Sequence, residues 1–172
     1  MKKILYPLVL WAVAITAALA QPNDKELAVA MLKEADAMGR ALIAKDYKAF
    51  AKYTHPLVLQ SYGGTDRMAE LIQQSFEPLE AEGIKLIEIS FAEPSKFVTS
   101  GEELQCTVTQ VIDMKVHGEE RLSTTTMIAF SADKGKTWHF LDTAGMPYAR
   151  LKFMIPNLSP CLLYTSPSPR DS

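Results

Sequence analysis

Cysteine is scarce in this sequence, with two in 172 residues. That excludes a disulfide-dense mini-protein, and the absence of any C-x-x-C or paired Cys/His spacing excludes a structural zinc module. Charge of one sign is also missing: 18 Lys and Arg stand against 20 Asp and Glu. A nucleic-acid binder normally shows a basic excess or stripe, so that class is set aside. The three histidines fall on separate elements without an H-x-H or H-x-x-x-H pair, which leaves no metal site to propose. A nucleophile elbow, a phosphate loop and an internal repeat are likewise lacking. What the chain does have is a 48% hydrophobic content in a length suited to one domain, enough to bury a core.

Long apolar runs are confined to the beginning. Lys2 and Lys3 precede an almost wholly apolar stretch at 4–19, and Ala18-Leu19-Ala20 fits the small-x-small rule for cleavage before Gln21. Residues 1–20 read as a cleaved signal peptide, and the expected location is periplasmic or secreted. The run is short for a spanning helix, and no later stretch reaches 18 apolar residues, so no membrane span is expected after cleavage. Removing Lys2 and Lys3 leaves 16 basic against 20 acidic residues. At the other end, residues 159–172 read SPCLLYTSPSPRDS, with three prolines and four serines. That composition predicts a disordered or non-native tail outside the core. The expected single domain is therefore 21–158.

Between these ends the chain reads as helices first, then strands. Leu27, Met31, Met38 and Leu42 make one helical stripe over 24–45, with Asn23 or Asp24 as its cap. Residues 47–53 predict a second short helix, broken at Thr54-His55-Pro56. Leu57-Val58-Leu59 suggests a brief strand, and Thr65 is placed to cap a helix over 65–81 with Met68, Leu71, Ile72, Phe76 and Leu79 on one side. After Gly83 the period changes to two. Strands are expected at 86–91, 104–116, 121–131 and 138–143, with 97–98 as a further pairing segment. The strand at 104–116 alternates most strictly: Leu104, Cys106, Val108, Gln110, Ile112, Met114 and Val116 share one face. Helices followed by a meander favour an α+β fold over a doubly wound one.

Several polar residues stand out from this pattern. His55 sits beside a proline and is a candidate acid or base. Gln110 is the one polar residue in the apolar face of its strand, so it either points into a polar cavity or satisfies buried backbone. Asp142 shares a strand face with Trp138 and Phe140 and is a candidate general base. Tyr53 and Tyr62 flank the crossing segment. Ser131-Ala132-Asp133-Lys134-Gly135-Lys136-Thr137-Trp138 matches the S-x-D-x-G-x-T-W box of sialidase-like propellers. One copy cannot build a propeller, so it reads as a hairpin device. Cys106 reads as a small buried hydrophobe, although a bond to Cys161 is allowed in an exported protein.

The order of elements, with the phrases AKDYKAFAKYTHPLVLQSYGG and GKTWHFLDT, resembles the nuclear transport factor 2-like superfamily, including SnoaL-like polyketide cyclases and ketosteroid isomerases. The resemblance covers residues 24–156. It implies a cystatin-like cone: N-terminal helices packed on a curved antiparallel sheet. Because members include enzymes, ligand binders and interaction domains, the fold transfers no activity. Ketosteroid isomerases use an aspartate base with tyrosine and protonated aspartate donors; those roles do not match this sequence position by position and are not carried over to Asp142, Tyr53 or Tyr62. Two classes remain. One is a module that holds a small hydrophobic ligand or a partner; its ligand-binding residues would be Tyr53, His55, Tyr62 and Gln110. The other is a cofactor-free isomerase, cyclase or dehydratase using His55, Asp142 and Tyr53. The absence of a visible catalytic pair favours the first. Neither class calls for a cofactor. In either class the cavity wall is expected at Val108, Gln110 and Ile112. A threonine-rich outer face, with Thr107, Thr109, Val111 and Thr125, predicts a homodimer.

Overall fold

Asn23 starts the fold as a reciprocal cap. Its side-chain oxygen accepts from the Glu26 backbone at 3.0 Å, and the Glu26 carboxylate accepts from the Asn23 backbone at 3.0 Å. Helix α1 then runs Asp24–Ile43 and buries Leu27, Met31, Ala35, Met38 and Leu42 along one stripe. The computed structural model describes residues 22–164. The expected signal peptide at 1–20 and the last residues of the expected tail lie outside that range. Among the described residues no helix is long and apolar enough to cross a membrane.

Helix α2, Tyr47–Ala51, begins at Asp46, whose side chain caps Ala49. The brief strand expected at 57–59 is instead helix α3, Pro56–Ser61. Pro56 keeps His55 out of helical geometry, as anticipated, but at the first helical position its fixed φ and missing N–H favour a new helix. The N-terminal helical segments are therefore four, not three. Helix α4, Thr65–Ala81, starts at Gly64, whose φ of 97° suits glycine, so Thr65 lies inside the helix and is not its cap. It also runs past Pro78 to Ala81.

The strands are β1 (Ile84–Phe91), β2 (Val98–Ser100), β3 (Glu103–Val116), β4 (Glu119–Ser131) and β5 (His139–Asp142). They form one antiparallel sheet in the order β1-β3-β4-β5, with β2 also on β3. Helices preceding an antiparallel sheet make this an α+β fold, as the sequence pattern predicts. β3 and β4 pair from Leu104 with Ser131 to Val116 with Glu119. Their two-residue turn places His117 and Gly118 at φ 53° and 90°, the left-handed geometry that matches strand twist. At the edge, Phe140 N donates to Tyr53 O at 2.6 Å, so the chain entering α3 partly covers β5.

Each sheet face has its own core. On one face, α1 packs Leu27, Met31, Ala35 and Met38 on Cys106, Val108, Met127, Ala129, Trp138 and Phe140. Gly39 allows this approach, because a Cβ there would lie 3.2 Å from Ile89. On the other face, Ile128, Phe130 and Leu141 are covered by Val58, Leu151, Ile155, Leu158 and Leu162. Val58 comes from α3, Leu151 from helix α5 (Tyr148–Met154), Leu162 from a 3₁₀ turn (Pro160–Tyr164), and Ile155 and Leu158 from the segment between those two. The expectation that residues from Ser159 onward add nothing to the core is thus corrected. Ser159 and Leu162 are buried, and Ser159 N donates to Gln105 Oε1 at 2.9 Å. The composition is poor for long helices, but Leu162 still gains by leaving water.

The outer-face expectation changes, while the reading of Cys106 as a small buried hydrophobe agrees with the structure. Thr125 pairs with Gln110 and so belongs to the α1-covered face, not the outer one, and Thr107 is buried. Cys106 and Cys161 are both free thiols, the first buried and the second exposed. Burial pushes the Cys106 thiol up to about 12, so it behaves as an inert small hydrophobe.

Candidate ligand-binding pocket

α4 carries an apolar stripe yet buries none of its side chains fully. Met68, Leu71, Ile72 and Phe76 are half-buried because they face a cavity of about 410 Å³. Opposite them, Met127 of β4 and Phe140, Leu141 and Asp142 of β5 line the other side. Phe50, Tyr53, Thr54, Val58 and Tyr62 contribute from α2, α3 and the segment between them. Met146 and Met154 add lining from the C-terminal region. The volume falls within the range of about 300–1,000 Å³ usual for small-molecule sites.

The cavity lies nearer the β5 edge than the sequence suggests. Val108, Gln110 and Ile112 do not line it. α1 already fills the space over β1 and β3, so the open volume is displaced toward β4 and β5. Tyr53, Tyr62 and Asp142 do line it, which brings three of the sequence candidates together. The Asp142 Oδ1 accepts from the Ala144 backbone at 2.8 Å. Tyr53 sits against Phe140, ring centroids 6.5 Å apart. Burial, with a smaller push from the Glu34 carboxylate, raises the Tyr53 phenol, which therefore remains a hydrogen-bond donor across the physiological range.

Gln110 is buried and spends its side-chain oxygen on the Thr125 hydroxyl, 3.2 Å away. Gln110→Leu is therefore expected to leave pocket binding unchanged. It should cost about 1 kcal/mol, the worth of one hydrogen bond. Urea unfolding beside a dye-binding titration checks both halves.

His55 points away from the cavity. It is buried, caps α3 by accepting from Leu57 N at 3.3 Å through Nδ1, and packs edge-on against Phe130 at 4.6 Å. Because Nδ1 accepts, the neutral ring carries its proton on Nε2, which lies 3.4 Å from Glu103 Oε1 without a well-formed hydrogen bond. Burial lowers the His55 pKa, outweighing the upward pull of Glu103, while nearby His139 lowers it further. At neutral pH the contact is thus not an ion pair. Burial also lowers His139.

These shifts give the pH dependence a sign. The unfolded imidazole titrates near about 6.5. The folded ring resists protonation, so its contribution is complete above that value and lost as pH falls below it. The melting temperature should drop between pH 7 and pH 5, and His55→Asn, which keeps a capping oxygen, should flatten the drop. An unchanged slope in the variant would assign the effect elsewhere.

Glu103 belongs to a polar cluster that sequence reading missed. Its Oε2 accepts from Asn157 Nδ2 at 2.7 Å, and Gln105 Nε2 donates to Asn157 O at 3.2 Å. No local motif announces it, since Glu103 and Asn157 are 54 residues apart. Among the described residues no group of three His, Cys, Asp or Glu is arranged to hold a metal.

No family model matches the sequence, and no curated protein matches it. The chain is similar to a crystal structure of an NTF2-like protein with a cystatin-like fold from Novosphingobium aromaticivorans, at 14% identity and a TM-score of 0.45, over 72% of this chain and 88% of that one. At that score the likeness carries no inference about ligand or activity.

Proposed function

We propose that this protein binds a small, largely apolar molecule in the cavity between α4 and the β4–β5 edge. The lining composition carries the reading. Five methionines, Met38, Met68, Met127, Met146 and Met154, surround the space with flexible, polarizable side chains that adapt to a guest. Phenylalanine and branched aliphatic side chains, Phe50, Val58, Leu71, Ile72, Phe76, Phe140 and Leu141, supply most of the rest, with a few polar groups to orient a ligand. The half-buried stripe of α4 supports the same reading: Met68 also touches the second core and Phe76 stacks on Tyr47 at 6.2 Å, but the stripe as a whole borders the cavity and none of it is fully buried.

The catalytic alternative loses one of its residues in this geometry. It requires an acid–base pair in the cavity, and His55 faces Glu103 and Phe130 instead. Asp142 and Tyr53 alone would have to carry it.

Nile red, a neutral apolar dye, tests the proposal. Saturable binding at one site per chain is expected. Ile72→Trp should fill the cavity and abolish binding while leaving the melting temperature close to that of the parent. Binding unaffected by Ile72→Trp would show that the dye sits elsewhere and sink the proposal.

A further inference from the structure

This inference rests on the pocket reading above and concerns the charge of the ligand. Among the described residues that line the cavity, Asp142 is the only one with a formal charge, and no Lys, Arg or His joins it. A carboxylate in an apolar wall repels an anionic head group and attracts a cationic one. The same cavity presents five aromatic rings, from Phe50, Tyr53, Tyr62, Phe76 and Phe140. Aromatic faces attract organic cations, most strongly when the cation has left water. Asp142 is held for such a role: Oδ1 is fixed by the Ala144 backbone at 2.8 Å, and strand pairing opposite Met127 sets the residue on the cavity side of β5. Fatty acids, whose carboxylate would meet that of Asp142, fit poorly.

We infer that the pocket selects an amphiphile with a cationic head, such as an alkylammonium ion, with Asp142 holding the charge and the methionine-rich wall holding the chain. Three probes of equal chain length separate the charge from the apolar body: octyltrimethylammonium, 1-octanol and octanoate. Each is titrated by calorimetry at pH 7, below micelle-forming concentrations. The ammonium should bind at least tenfold tighter than octanoate. Asp142→Asn, which keeps an oxygen to accept from Ala144, should shrink that ratio below threefold without weakening octanol.

Octanoate binding as tightly as the ammonium overturns the inference, as does a ratio unmoved by Asp142→Asn. An ammonium preference that survives in Ile72→Trp marks attraction to charges outside the cavity and overturns it as well. Nile red binding without binding of any octyl probe also overturns it, and leaves the pocket reading in place. Failure of Nile red and all three probes together removes the pocket reading itself.

Discussion

A chain ending at Pro156 is expected to lose about 4–9 kcal/mol of stability. Two buried leucines go, Leu158 and Leu162, and each contributes about 1.5–3 kcal/mol by leaving water. Gln105 is fully buried and loses both anchors, the Asn157 carbonyl at 3.2 Å and the Ser159 amide at 2.9 Å. A buried amide left with only the Glu103 carboxylate at 3.4 Å costs about 1–3 kcal/mol more. Glu103 loses the Asn157 amide, and Lys152 loses the Leu158 carbonyl that its ammonium holds at 2.8 Å. The total approaches the whole stability of an ordinary domain, about 5–15 kcal/mol, so the shortened chain should be largely unfolded at mild urea concentrations. Leu158→Ala separates packing from hydrogen bonding, with an expected loss of about 2–5 kcal/mol by itself. A truncated chain whose urea midpoint implies a loss under about 1 kcal/mol would show that this segment only rests on the sheet.

That expectation runs against composition, and the reason lies in what composition measures. Three prolines and four serines speak against a long helix or strand at 159–172. They do not speak against a single turn that places one leucine over Ile128 and Phe130, and that placement depends on a sheet face built earlier in the chain. Where the deciding interaction was local, the residues were legible. The alternation of β3 named its faces, because one strand's side chains alternate whatever pairs with it. The α1 cap needed only Asn23 and Glu26. α3 was misread although its cause is also local: Pro56 ends what comes before it and starts what comes after.

The cavity was legible only in part, for the same reason. Tyr53, Tyr62 and Asp142 were reachable because crossing segment and strand parity are sequence properties. The displacement away from Gln110 was not, since it follows from α1 lying close over β1 through Gly39. The α4 stripe was visible as Met68, Leu71, Ile72 and Phe76, but a stripe facing a cavity has the same spacing as one facing a core. His55 attracted attention for its chemistry and turned out to cap a helix, with its partner Glu103 far along the chain.

The hairpin joining β4 to β5 is the structural device that its sequence box predicts, and it should tolerate substitution poorly. Asp133 Oδ1 accepts from the Ser131 hydroxyl and the backbone amides of Lys136 and Thr137, while Oδ2 accepts from the Thr137 hydroxyl. Burial alone would raise its pKa, but bonds from Thr137, Ser131 and Lys136 outweigh this and hold the carboxyl below its usual value. The turn serves to set Trp138, 2% exposed, into the core against Phe97, with its indole N–H on the Gly135 carbonyl at 3.1 Å. Trp138→Ala should therefore cost about 3–5 kcal/mol, as large aromatic truncations do. Gly135→Ala probes the same unit from the backbone. Its φ of +89° carries roughly 1–2 kcal/mol of strain for any residue with a side chain. The new methyl would also collide with Leu27 Cδ2, a buried α1 residue, adding about 1–3 kcal/mol of overpacking. The ideal Cβ at Gly135 lies 3.6 Å from the Trp138 ring, so the two substitutions should not add. Once Trp138 is alanine, Leu27 can move into the vacated space, and Gly135→Ala should then cost less than it does alone. Urea unfolding of the two single variants and the double variant measures that coupling. Strict additivity would mean that Leu27 and Trp138 do not share the packing ascribed to them.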